Sequence, residues 1–157
     1  MSFLEVKDVT HSYFSKREKM TALMNVNLTV RPGEFVSILG PSGCGKTTLL
    51  SIISGLIKPT AGHVLMENEK VKGTNKKTGY MLQQDYLFPW KTIGENILLG
   101  LKLTGQLNEE TKEKAFNLLE QMGLKDIENK YPSELSGGMR QRAALVRTLA
   151  TDPKLLL

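Results

Sequence analysis

The chain has 157 residues, 40% hydrophobic and 24% charged, a composition that suits one folded domain with a sizeable core and excludes a disordered or fibrous protein. Its formal charge is +5, but residues 1–84 hold 11 basic and 6 acidic groups while residues 85–157 hold 10 of each, and the cations are scattered among strands and turns, so they read as a solvated surface and not as a nucleic-acid stripe. The one cysteine, Cys44, excludes an internal disulfide and a multi-cysteine metal site; no apolar run approaches the ~18 residues of a spanning helix, and "MSFLEVKDVT" has acids where a signal peptide has its apolar core, so a cytoplasmic protein is expected.

The first elements are short β-type runs: "FLEVKDV", "HSYF", a charged turn "SKREK", and "LMNVNLTV" with alternating apolar residues, which together predict antiparallel strands. "RPGE" is a turn set by Pro32 and Gly33. "FVSILG" has the continuous apolar character of a buried strand, and "KTTLLSIISGL" has helical spacing that ends at Gly55. "GHVLMENEKV" and "GYMLQQ" are expected as two further strands joined by the basic turn "KGTNKKT". After residue 84 the pattern becomes helical: "TIGENILLGLKL", then "NEETKEKAFNLLEQMG" with Asn108 as cap, acids in the first turn and Gly123 at the end, then a helix through "MRQRAALVRTLA". "KLLL" opens a last apolar strand. With no internal repeat, the helical part reads as an insertion into an α/β core.

"GPSGCGKT", residues 40–47, matches G-x-x-x-x-G-K-[ST] and lies between an apolar strand and a helix, where that motif works. Gly40, Gly43 and Gly45 let the backbone curl past Pro41, Ser42 and Cys44 so that successive N–H groups point into one concavity, reinforced by the helix start and continuing to Thr48. Lys46 would reach the β- and γ-phosphates of a nucleotide, and Thr47 would offer its hydroxyl to Mg²⁺. Cys44 reads as a small filler residue that bound nucleotide would shield from alkylation.

A phosphate loop alone leaves kinases, GTPases, helicases and transport ATPases open. "NKKT" and "NKYP" both lack the Asp of a guanine clamp. "LSGGMRQR", residues 135–142, opens a helix with Ser136, Gly137 and Gly138, giving a second anion-binding helix start. This stretch resembles the signature of ATP-binding cassette (ABC) ATPases, and the resemblance runs in order from "GPSGCGKTT" through "YMLQQ" to the end of the chain. It implies an α/β P-loop NTPase core with an N-terminal antiparallel β part and an inserted helical subdomain, C-terminally incomplete, divided as 1–84 (β part and phosphate-loop core), 85–150 (helical subdomain) and 151–157 (start of the Walker B strand). It also implies a dimer, each signature (Ser136, Gly137, Gly138, with Gln141 beside them) closing over the phosphate loop and ATP of a second ATPase subunit.

By the same resemblance, Gln83 in "GYMLQQ" touches Mg²⁺ or the attacking water and joins Lys46 in catalysis, although Gln84 is adjacent and competes for the role. Tyr13 matches the aromatic residue that stacks on adenine. "DYLFPWKTIGENI", from Asp85 to Ile97, reads by default as packing inside the helical part; the resemblance implies that it receives a transmembrane permease, and "PW" at Pro89 and Trp90 is similar to the nitrate, sulfonate and taurine importer branch. Cargo would reach the permease from an external solute-binding protein, the ATPase sitting on the inner membrane face.

In the family, "KLLL" continues to an Asp that supports Mg²⁺, a catalytic Glu and a switch His. None of these is present, since His11 and His63 lie on early strands. Two readings therefore stand: an importer ATPase, or a nucleotide-binding module without effective hydrolysis. A non-transport ABC protein is a third.

Overall fold

The computed structural model describes residues 2–15 and 18–157; Lys16 and Arg17 of the expected charged turn lie outside them. The chain divides into two compact units, Met1–Asn75 and Lys76–Leu157.

The first unit is built on a four-stranded antiparallel sheet in the order β2-β1-β3-β4, from β1 (Leu4–Phe14), β2 (Lys19–Val30), β3 (Ala61–Met66) and β4 (Glu69–Lys70). Leu4, Val6 and Val9 of β1 are buried together with Val64 and Met66 of β3. Simple alternation fails midway along β1, where the register slips between Val6 and Val9 and again before His11. There Asp8 takes a positive φ of 50°, and its carboxylate accepts from Asn27 Nδ2 at 3.0 Å while its own N–H donates to Asn27 Oδ1 at 2.9 Å. This bulge re-aims the strand, so that His11 and Ser12 are both buried and Tyr13 emerges on the surface. Gly62 of β3 passes the bulge with φ +77°, where a Cβ would meet the Asp8 carbonyl oxygen at 2.3 Å.

Two expectations change in this unit. "GHVLMENEKV" is a hairpin and not one strand, because Glu67 and Asn68 both adopt positive φ (51° and 65°), the backbone of a tight two-residue turn. The segment "FVSILG", expected as a buried strand, forms none: Phe35 is 93% and Leu39 90% exposed. Strand-type side chains become a strand only when another strand supplies hydrogen bonds along an edge, and the four strands of this unit pair with one another and not with this segment. Helix α1 (Lys46–Ile53) follows, burying Leu49, Ile52 and Ile53, and Gly55 closes it with φ +80°.

The second unit is helical: α2 (Ile93–Leu103), α3 (Glu109–Gln121), a 3₁₀ turn (Pro132–Glu134) and α4 (Gly137–Leu149). Thr92 and Asn108 cap α2 and α3 through reciprocal capping boxes, with partners Glu95 and Thr111. Their apolar stripes meet in one core, in which Ile93, Ile97, Leu101, Ala143, Ala144 and Val146 are at most 1% exposed. Of "GYMLQQ" only Gly79 falls in a strand, the two-residue β5 (Thr78–Gly79), paired in parallel with β6 (Leu155–Leu156). Beyond the paired residues, the Leu155 N–H donates to the Lys77 carbonyl oxygen at 3.0 Å and the Met81 N–H to that of Leu157 at 2.7 Å. The mixed α/β architecture implied by the sequence, with an antiparallel sheet and a helical part, is present. Among the described residues no helix is long and apolar enough to cross a membrane.

Candidate functional site

The phosphate loop belongs to the first unit. Gly45 stands before α1 in the left-handed region at φ 96°, and no side chain caps the helix start, so the first N–H groups of α1 are left to an external acceptor. A Cβ on Gly45 would meet the Ala22 carbonyl oxygen at 2.6 Å, so only glycine lets the turn lie against β2. The Lys46 ammonium folds back over the loop, donating to the carbonyl oxygens of Gly40 and Pro41, each at 2.7 Å, and lies 3.5 Å from Cys44 Sγ. Pro41, Ser42, Gly43, Cys44 and Thr47 are exposed. The Thr47 hydroxyl has no protein partner among the described residues.

Tyr13 comes to the same place through the β1 bulge. Its hydroxyl lies 3.2 Å from Thr48 Oγ1, and its ring and that of His11 meet in a T-shaped contact, 4.8 Å between centroids and 83° between planes. A half-exposed aromatic face thus stands beside a cationic loop rich in N–H donors, a combination suited to a base joined to a phosphate chain. Uncapped helix N–H groups, the Lys46 ammonium and the Thr47 hydroxyl fit a magnesium nucleotide; the ion would neutralise phosphate charge against the Thr47 hydroxyl.

The remaining candidates lie in the second unit. Ser136 is the N-cap of α4, its hydroxyl accepting from the Met139 N–H at 3.3 Å, while Gly137 and Gly138 are exposed at the helix start. The hydroxyl is thus engaged in capping, with its own proton left to donate outward. Gln83 and Gln84 are both exposed; the Gln83 carbonyl oxygen accepts from Gln141 Nε2 at 3.5 Å.

Three residues that pattern reasoning assigned no role hold residues 85–92 in place. Arg140 donates from Nε to Asp85 Oδ2 at 3.0 Å and from Nη1 to the Leu135 carbonyl oxygen at 2.9 Å. Two turns further along the same face of α4, Arg147 donates to the carbonyl oxygens of Asp85 and Tyr86 at 2.8 and 2.7 Å. Burial pushes its guanidinium below the usual arginine range, opposed by the Asp85 charge, but the group stays a cation. From the other side Asn96, fully buried on α2, accepts from the Phe88 N–H at 2.7 Å and donates from Nδ2 to the carbonyl oxygens of Phe88, Lys91 and Thr92. The spacing of Arg140 and Arg147, two helical turns apart, was the available signal.

Aromatic side chains of this segment do not all pack inward as the default reading held. Leu87 is buried, but Tyr86 is 56% and Trp90 70% exposed, and the Phe88 and Trp90 rings pair on the surface at 5.3 Å.

Comparison with known proteins agrees with this picture. The family model described as ABC transporter matches residues 23–157. The chain is 61% identical, over its whole length and 60% of the relative's, to an uncharacterised ABC transporter ATP-binding protein, YtlC, of Bacillus subtilis (strain 168). It is 42% identical, over its whole length and 59% of the relative's, to the taurine import ATP-binding protein TauB of Ruegeria pomeroyi. The chain thus spans about 60% of the length of these curated relatives. Among solved structures, the dimeric post-hydrolysis state of the ATP-binding cassette MJ0796 bound to ADP and Pi aligns with a TM-score of 0.86 at 39% identity, over 98% of this chain and 72% of that one. A phosphate loop, a second glycine-opened helix and the match of both sequence and fold lead to one conclusion: the chain belongs to the ABC transporter ATP-binding family.

Proposed function

We propose that this chain is the nucleotide-binding portion of an importer ATPase, which couples ATP binding and hydrolysis to the passage of a small solute through a membrane permease. The observation that carries the coupling is the fastening of Asp85 and Tyr86, at the start of the segment that bears Phe88 and Trp90, to α4 by Arg140 and Arg147. The helix opened by Ser136, Gly137 and Gly138 and the segment bearing Phe88 and Trp90 then move together.

In this reading Tyr13 stacks on adenine, the N–H groups of residues 40–48 and the Lys46 ammonium hold the phosphates, and Thr47 and Gln83 serve the magnesium ion. Lys46 leaves the Gly40 and Pro41 carbonyl oxygens to meet the γ-phosphate, exchanging neutral acceptors for a charged one. The signature residues of a second subunit complete the nucleotide site, and α4 carries that closure to the exposed aromatic pair, which contacts the permease. The names of relatives that import taurine and nitrate support a small solute of the sulfonate or nitrate kind, and in this reading an external binding protein delivers it. The location that follows is the cytoplasmic face of the membrane.

Substituting Arg147→Ala in the assembled transporter tests the coupling. A fluorescent ATP analogue should bind as before, while ATPase stimulation by the permease falls about 5- to 100-fold. Stimulation that survives in a folded variant would sink the coupling role.

A further inference from the structure

Away from the nucleotide loop, at the other end of α1, the first unit contains a cavity of about 400 Å³. It opens between residues 55–59, β3 and the chain that follows β4. Its inner side is apolar: Val64 is buried, and Ile57 and Val71 are half-buried. Lys58, Lys70 and Lys72, all exposed, are also among its lining residues. No carboxylate is among its lining residues. None of the three lysines forms an ion pair among the described residues, whose pairs lie elsewhere.

Three like charges around one opening repel each other, and an anion in the cavity relieves that repulsion. The volume falls within the ~300–1,000 Å³ of small-molecule sites, and an apolar wall with a few convergent polar groups is how such sites are built. The phosphate-loop residues take no part in the lining, so the nucleotide reading leaves this constellation unused.

We infer that the cavity binds an organic anion, its apolar body against Ile57, Val64 and Val71 and its sulfonate, carboxylate or phosphate group among Lys58, Lys70 and Lys72. The ligand is distinct from ATP and binds independently of it.

The test uses 8-anilinonaphthalene-1-sulfonate and its uncharged analogue N-phenyl-1-naphthylamine, titrated into the intact protein and into its Lys70→Glu/Lys72→Glu variant. The sulfonate should bind at one saturable site and weaken about tenfold in the variant. The uncharged analogue should change by less than about twofold, with binding of an ATP analogue unaltered. Backbone amide shifts of the unsubstituted protein give a second readout that does not depend on the variant folding: those of Lys58, His63 and Val71 should move as the sulfonate is added. Equal affinity for both probes, an unweakened variant, or shifts confined to residues 35–40, where Phe35 and Leu39 offer a competing apolar surface, would overturn the inference.

Discussion

Asn96 concentrates more polar contacts than any apolar neighbour on its helix can replace: it is fully buried, and its amide serves four backbone groups of residues 88–92. Truncation takes the partner from the Phe88 N–H and the Lys91 carbonyl oxygen, while the carbonyl oxygens of Phe88 and Thr92 keep the N–H groups of Lys91 and Asn96, so Asn96→Ala should cost about 1–3 kcal/mol of stability in urea denaturation, more than a surface change. A loss under about 0.5 kcal/mol would show that the segment finds other partners. Nothing in the sequence marked this residue, because an asparagine on an apolar stripe names no partner, and its partners lie in an irregular segment. Lys46 and Thr47 were legible for the opposite reason. The loop that presents them is contiguous, and its geometry follows from glycines a few positions apart.

Elements divide in the same way. Helix ends were readable because caps are local: Asn108 takes the Thr111 N–H, and Gly123 closes α3 at φ +70°. Residues 35–40 were misread because a strand is a relation between segments, and "FVSILG" carries the β-type residues without carrying its partner. The expectation for this 157-residue chain follows directly. In native-state hydrogen exchange the amides of residues 35–40 should exchange without measurable protection, while those of β1, bonded on both edges, are slow. Protection of residues 35–40 as strong as that of β1 would contradict the exposed backbone described above.

For the whole molecule, the motifs gave the family and the mixed α/β class and placed a division after residue 84, whereas the compact units divide after Asn75, ahead of the change to helical pattern. In the proposed reading the nucleotide-facing groups are distributed over both units, the phosphate loop in one and the opening of α4 in the other, which suits a site completed by a second copy. Gly138 offers a clean probe, since a Cβ there meets nothing within 4 Å. Gly138→Asp should therefore leave the thermal unfolding of the monomer within about 1 kcal/mol of its original stability, while its carboxylate repels the facing phosphates and abolishes ATP-dependent dimerisation in sedimentation. Dimers that form undiminished would remove α4 from the interface. The exposed ring pair described earlier has a practical consequence as well. Trp90 is the single tryptophan of the chain and is 70% exposed, so intrinsic emission reports from one known surface position without any label. A wavelength shift to the blue on adding permease would register docking as it happens, and a spectrum that never moves would locate the permease contact elsewhere.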